Sequence, residues 1–273
     1  MVVQGDTNSG LAGALAANAV EIPIVHLEAG LRSFDRGMPE EHNRVLIDAL
    51  AERCCAPHES NAELLEREGI SAERIRITGS TLSEALVGML PSPDERRRLL
   101  ADHGVDASAF VLATIHRAEN ADDAAKLEVF LDELAHLDVP VVLPLHPRTR
   151  ARAAEFGLQH LLDRLIVVAP LGYREFIGLA AESAVLVSDS GGVQEEATIL
   201  KRPVVVVRAS TERPEIVGTF ARLVDVGPQI GAEVRAVTAD VVASHAALES
   251  LPYPYGSEAT ALCVAAIDEL AGA

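Results

Sequence analysis

Five titratable side chains each follow a short apolar run: Asp6, Glu28, His116, His146 and Asp189. In open α/β sheets ligands bind outside the carboxyl ends of the strands, so the residue after each strand is where chemistry is placed. One such residue is as readily a helix cap or a solvated turn side chain, and His146-Pro147 reads first as loop structure. It is their recurrence along one chain that points to a site.

The sharpest local motif is Ser188-Asp189-Ser190-Gly191-Gly192-Val193-Gln194-Glu195-Glu196, a strand passing through a small-residue turn into a helix. Gly191 and Gly192 let backbone amides approach a ligand closely, and the helix start offers unpaired donors to a phosphate. A diphosphate fits that description, with Glu196 reaching a ribose hydroxyl pair. The plainer alternative is an ordinary corner in which Ser190 caps the helix. With neither a Walker lysine nor a G-x-G-x-x-G, the motif is not that of a P-loop or a dinucleotide site. His116, with Arg117 beside it, offers a leaving phosphate charge, a hydrogen bond or a proton. Pro39 suits the first position of a helix, where the macrodipole also favours Glu40 and Glu41, so a structural role and an acid–base role both fit Glu40. Arg213, in Ser210-Thr211-Glu212-Arg213-Pro214-Glu215, suits an anion or sugar hydroxyl, or else an ion pair with Glu212 or Glu215.

The elements that must position these residues alternate. Apolar, largely β-branched runs at residues 2–4, 22–27, 54–57, 75–78, 110–115, 139–145, 165–168, 184–188 and 204–207 are separated by helical patterns. Those patterns include 9–20, 39–51, 62–68, 125–137, 174–181, 193–200 and 258–271. The alternation predicts an α/β fold with parallel sheets. Ser60 with Glu63, and Thr81 with Glu84, have the spacing of capping boxes. The stretch 91–108, opening Pro91-Ser92-Pro93-Asp94 and carrying Arg96-Arg97-Arg98, predicts a boundary near 80–107. The expected domains are residues 1–86 with a terminal helix 257–273, and residues 87–256.

Composition bounds the function. With 49% apolar residues in 273, the chain has enough hydrophobicity to exclude intrinsic disorder. No run of ~18 apolar residues points to a membrane span, and Met1–Asp6 lacks a basic segment leading an apolar one, so a cytoplasmic protein is expected. The net charge of −18 excludes a nucleic-acid backbone as partner. Lys126 and Lys201 are the only lysines, a pattern that fits either a salt-adapted acidic surface or GC-rich codon usage. Cys54, Cys55 and Cys263 are too few and too badly spaced for a disulfide framework or a zinc site, and read as buried small apolar residues.

Six motifs in order carry a family resemblance: Gly5-Asp6-Thr7; His26-x-Glu28-Ala29-Gly30-Leu31-Arg32; Pro39-Glu40-Glu41-x-Asn43-Arg44; Thr114-x-His116-Arg117-x-Glu119-Asn120; Asp189-Ser190-Gly191-Gly192-x-Gln194-Glu195-Glu196; and Thr211-Glu212-Arg213-Pro214-Glu215. Together they closely resemble the non-hydrolysing UDP-N-acetylglucosamine 2-epimerases. The resemblance implies a glycosyltransferase-B-like fold of two Rossmann-like parallel-sheet domains, the first incomplete, with UDP held by the second and the sugar in the cleft. It implies interconversion of UDP-GlcNAc and UDP-ManNAc, by anti elimination of UDP to 2-acetamidoglucal and re-addition, with no redox cofactor and no metal. By motif position Asp6, Glu28 and Glu40 are the acid–base carboxylates and His116 assists the departing diphosphate. Arg117, Ser190, Gly191, Gly192 and Arg213 meet phosphate or sugar, Glu196 the ribose and Phe176 the uracil. A cytoplasmic homodimer in polysaccharide biosynthesis follows from the same likeness. A hydrolysing relative, an epimerase of another UDP-2-acetamido sugar and a non-catalytic UDP-binding remnant are the alternatives. Compared with the family, roughly 90 N-terminal residues have no counterpart here, which is expected to leave an exposed strand edge and to weaken or abolish activity. Because a doubly negative substrate must approach an acidic protein, the site is expected to draw a local positive field from Arg32, Arg117, Arg213, His116 and helix N-termini.

Overall fold

The computed structural model describes residues 1–105 and 109–271. Inter-residue contacts divide the chain into two compact units, Met1–Ala85 with Ser210–Glu215 and Tyr253–Ala273, and Leu86–Ala209 with Ile216–Pro252. The α/β class read from the alternation is found in both.

In the first unit four parallel strands lie in sequence order: β1 (Val2–Gln4), β2 (Val25–Leu27), β3 (Arg53–Ala56) and β4 (Ile75–Ile77). The second strand is shorter than the run at 22–27, because Pro23 interrupts the pairing and only residues from Val25 onward join the ladder. The helix Asn8–Ala19 starts at Thr7, whose hydroxyl accepts from Gly10 N at 3.1 Å. The helix Pro39–Leu50 carries proline at its first turn. Val3, Ala14, Ile24, Ile47, Cys54 and Leu65 form one buried cluster; Val25, Cys55, Cys263 and Ala266 form another beneath the helix Ala259–Ala271. All three cysteines are buried and unpaired by disulfide.

The second unit holds six parallel strands: β5 (Val111–Thr114), β6 (Val141–Pro144), β7 (Ile166–Val168), β8 (Val185–Ser188), β9 (Val204–Val207) and β10 (Ala221–Val224). Their order is β10-β9-β8-β5-β6-β7, so the strand order switches sides at the parallel β5/β8 pair, where Thr114 stands opposite Ser188. All four valines of β9 are buried, as a central parallel strand requires. The strand β10 is absent from the sequence reading: Arg222 is exposed at its middle, which breaks the apolar run that marks the other strands.

Three local expectations are corrected. The helix Glu59–Arg67 is capped by His58, whose Nδ1 accepts from Ser60 N at 3.2 Å, so Ser60 lies inside the helix and is not its cap. The Glu84 carboxylate accepts from Thr260 N at 2.9 Å and from the Thr260 hydroxyl, so it fastens the terminal helix instead of closing a box with Thr81. The stretch at 91–108 contains the helix Pro93–Asp102, with Ser92 and Glu95 forming a true capping box; its residues 106–108 lie outside the described residues.

Gly30 is the tightest backbone approach near the candidate carboxylates. Its φ is +80°, and a Cβ there would lie 2.6 Å from the Asn61 carbonyl oxygen and 3.0 Å from Leu65 Cγ. Gly30→Ala is therefore expected to destabilise the fold by about 3 kcal/mol in urea unfolding, combining left-handed strain with a backbone clash. A change below about 1 kcal/mol would contradict this account.

Candidate functional site

In the first unit, parallel pairing puts Gln4 opposite Leu27, so Asp6 and Glu28 leave the sheet side by side. The loop that carries them is held by a buried network. His26 is fully buried, with Nδ1 2.5 Å from Asp48 Oδ1 and Nε2 3.0 Å from the Gly5 carbonyl oxygen. Asp48 also accepts from Gly30 N at 3.2 Å and from Arg32 Nη2 at 2.7 Å. Burial opposes charge on Asp48, yet the hydrogen bonds and charges of His26 and Arg32 hold its carboxyl below the usual range. Arg32 is bonded to Glu68 as well and is 3% exposed. Its guanidinium is thus committed to Asp48 and Glu68, which corrects the expectation that it supplies a field for a ligand.

The three carboxylates differ in setting. Asp6 is half-buried and accepts from Arg44 Nη2 at 2.5 Å, while its carbonyl accepts from Asn43 Nδ2 at 2.8 Å. Glu28 is half-buried, accepts from Gln4 Nε2 at 2.7 Å and has φ +66°, a left-handed conformation rare for a residue with a Cβ. Glu40 is exposed in the first turn of its helix. Its neighbour Glu41 is buried and accepts from Ser33 N, Phe34 N, the Ser33 hydroxyl and Arg44 Nη1 at 2.9–3.1 Å, so it ties loop to helix and is saturated. Arg44, quoted in the third motif but given no role there, joins Asp6 to Glu41. Arg213 belongs to this unit and is buried, its guanidinium carbon 5.0 Å from the centroid of the Tyr255 ring.

In the second unit the ends of β5 and β8 come together. The hydroxyls of Thr114 and Ser188 are 2.7 Å apart, and Ser188 Oγ accepts from Ser190 N at 2.9 Å. Asp189 is fully buried. Its carboxylate accepts from His116 N at 3.2 Å, from Arg117 N at 2.9 Å and from Asn120 Nδ2 at 3.3 Å, and it lies 3.1 Å from His116 Nδ1. Burial opposes its ionisation, but His116 and these amides together hold it below the usual carboxylate range. The His116 ring is consequently oriented by a carboxylate on one nitrogen while its side chain remains 46% exposed. Ser190 occupies the N-cap of the helix Gly191–Ile199 without a side-chain cap bond, so the hydroxyl leaves the first-turn amides uncapped. Gly192 is exposed and Gly191 half-buried at that turn.

Beside them a recess of about 350 Å3 is lined by Thr114, His116, Pro144, His146, Tyr173 and Phe176 among others. Phe176 is on the helix Tyr173–Glu182. His146 caps the helix Pro147–Glu155, Nδ1 accepting from Arg148 N at 3.2 Å, in keeping with its reading as loop structure. Glu196 is buried; burial pushes its carboxyl up to about 7, opposed by the facing Tyr173 hydroxyl and assisted by Glu195. The structure brings His116, Arg117, Ser190, Gly191 and Gly192 together at one pair of strand ends, and places Asp6, Glu28, Glu40 and Arg213 in the other unit.

Two measurements follow. Asp189→Asn is expected to lose about 1–3 kcal/mol of stability at pH 7. Because the folded pKa is depressed, the deficit is complete above the ordinary value of about 3.9 and closes as pH falls through the folded value; a deficit that stays constant to pH 2 would contradict the pairing. Glu196 has the opposite sign. Its raised pKa means that the native state gives up stability as pH rises from about 4.3 to about 7, so Glu196→Gln is expected to be the more stable by on the order of 3 kcal/mol at pH 8 and equal at pH 4. Urea midpoints measured across that range check it.

Among the described residues no helix is long and apolar enough to cross a membrane. The family model described as UDP-N-acetylglucosamine 2-epimerase matches residues 1–267. A UDP-N-acetylglucosamine 2-epimerase of Methanococcus maripaludis is 42% identical over 224 residues, 79% of this chain and 61% of the relative. A UDP-2,3-diacetamido-2,3-dideoxy-D-glucuronate 2-epimerase of Pseudomonas aeruginosa is 40% identical over 80% of this chain and 60% of its own. The chain thus spans about three fifths of the length of these curated relatives. The crystal structure of Methanocaldococcus jannaschii UDP-GlcNAc 2-epimerase in complex with UDP-GlcNAc and UDP superposes with a TM-score of 0.86 at 36% identity, covering 98% of this chain and 75% of that one. A match that runs along nearly the whole sequence, residues 1–267, makes this chain a member of the UDP-N-acetylglucosamine 2-epimerase family.

Proposed function

We propose that the chain acts on a UDP-linked 2-acetamido sugar and interconverts UDP-GlcNAc and UDP-ManNAc. The observation that carries the reading is the end of the β5/β8 pair: an imidazole fixed by a buried carboxylate stands beside an uncapped helix start. That combination suits a diphosphate leaving group, which needs donors where negative charge develops. The C2 proton of the sugar is not acidified by a neighbouring carbonyl, so elimination precedes inversion. A carboxylate takes the C2 proton, the C1=C2 double bond forms, and the C1–O bond breaks with its electron pair leaving on UDP. Re-addition of the UDP oxygen to C1 and return of a proton to the other face of C2 completes the exchange.

In this reading Asp6, Glu28 and Glu40 are the acid–base carboxylates. Arg44 places the Asp6 carboxylate, and Gln4 orients Glu28. His116 serves the departing diphosphate, with Arg117, Ser190, Gly191, Gly192 and Arg213 meeting phosphate or sugar. Phe176 takes the uracil against the recess and Glu196 the ribose. A cytoplasmic homodimer belongs to the same proposal, on family grounds. A second reading, an epimerase of a UDP-diacetamido uronate, is favoured by the Pseudomonas relative of that name at nearly the same identity.

Incubation with UDP-GlcNAc in deuterated water, followed by NMR, tests both. UDP-ManNAc carrying deuterium at C2, formed at a weakened rate, is the expected outcome; turnover only of the diacetamido uronate selects the second reading, and free ManNAc without the nucleotide sugar refutes both. His116→Ala is expected to lower turnover by about 10²–10⁴-fold, far more than the roughly 1–2 kcal/mol of stability lost with its contact to Asp189. Unchanged turnover would remove His116 from its assigned role.

A further inference from the structure

Tyr255 has no part in the sequence motifs, yet it is 1% exposed and five residues of the first unit converge on it. Its hydroxyl donates to Glu215 Oε1 in a short hydrogen bond. Its ring lies under the Arg213 guanidinium, with Cζ 5.0 Å from the centroid. Its carbonyl accepts from Ser80 N at 3.0 Å and closes over Gly79, whose φ of +80° and missing Cβ leave room for it. The ring itself is wedged edge-on against Tyr253 at 5.5 Å and His58 at 6.3 Å.

Arg213 and Glu215 flank Pro214, and Arg213 N donates to Thr211 Oγ1 at 3.1 Å. One tyrosine therefore grips both ends of a proline-stiffened tripeptide, by its face on the arginine side and its hydroxyl on the glutamate side. An arginine ordinarily loses much rotamer freedom when it engages an anion. Here that ordering is already complete before any anion arrives, which is the condition for tight recognition by a single guanidinium.

We infer that Tyr255 is a positioning residue for Arg213, holding the guanidinium ready for the diphosphate of a UDP-sugar. The inference rests on the nucleotide-sugar reading above and adds to it the residue that sets Arg213 in place. Calorimetric titration of the whole chain with UDP and, separately, with uridine tests it. Tyr255→Leu removes the ring face and is expected to weaken UDP about tenfold, roughly 1.4 kcal/mol, within the range for a buried cation–π contact, while uridine affinity is unchanged. Tyr255→Phe keeps the ring face, gives up the hydroxyl's hydrogen bonds to Glu215 and the Arg213 side chain, and is expected to weaken UDP about threefold; it carries the test should the leucine variant fail to fold. UDP affinity unchanged in both variants overturns the inference and leaves the nucleotide-sugar reading intact. Equal losses for UDP and uridine overturn it too, because a general loosening of the unit would act on both. Failure of the unsubstituted chain to bind UDP overturns both inference and reading.

Discussion

The second unit depends on one buried carboxylate. Asp189 sits at the end of a central strand with no access to water, and everything that makes its charge tolerable belongs to the loop after the neighbouring strand: two backbone amides, the Asn120 side chain and the His116 ring. A buried charge without such partners would cost several kcal/mol. The loop therefore has one low-energy arrangement, and that arrangement fixes His116 next to the start of the helix Gly191–Ile199. Asn120 also donates to the Val207 carbonyl at 3.3 Å, so three adjacent strands, β5, β8 and β9, end on the same small network.

The first unit solves the same problem with the same residue type. Asp48 is buried on the helix whose first turn carries Glu40, and through His26, Arg32 and Gly30 N it holds the β1 and β2 ends. In both units the acid that organises the loop is fully enclosed, while the groups proposed for chemistry remain at least partly accessible. This division fits the physics: an organising charge is strongest in a low-dielectric setting, whereas a group that exchanges protons with a substrate must be reachable.

Much of this was legible in the sequence for physical reasons. Parallel strands buried on both faces leave continuous β-branched runs such as Val204–Val207, and strand-end polar residues announce themselves by breaking those runs. The failures are equally instructive. Arg32 reads as a cation available to a ligand because nothing local shows that Asp48 and Glu68 fold onto it. The helix Pro93–Asp102 reads as a linker because its prolines and arginines dominate the composition, although Ser92 with Glu95 held a start signal in plain view. Asp189 is visible as a strand-end residue, but its role in aiming His116 requires the β5/β8 pairing, a contact across more than seventy positions that periodicity does not encode. Tyr255 leaves no signal at all beyond being an aromatic residue in a proline-rich turn.

The first unit is also discontinuous, being completed by residues 210–215 and 253–271. Its β2–β3 face is covered by Cys263 and Ala266, and its Gly79 turn is closed by Tyr255. On the ribosome, residues 1–85 therefore wait for the later residues 253–271 that cover them, with Val25, Cys55 and Leu27 exposed in the interval. The second unit, interrupted only by the short excursion at 210–215, can form its sheet in the meantime. Order of synthesis and order of completion are thus inverted, and a chaperone that shields apolar strands during translation would find its substrate in the amino-terminal sheet.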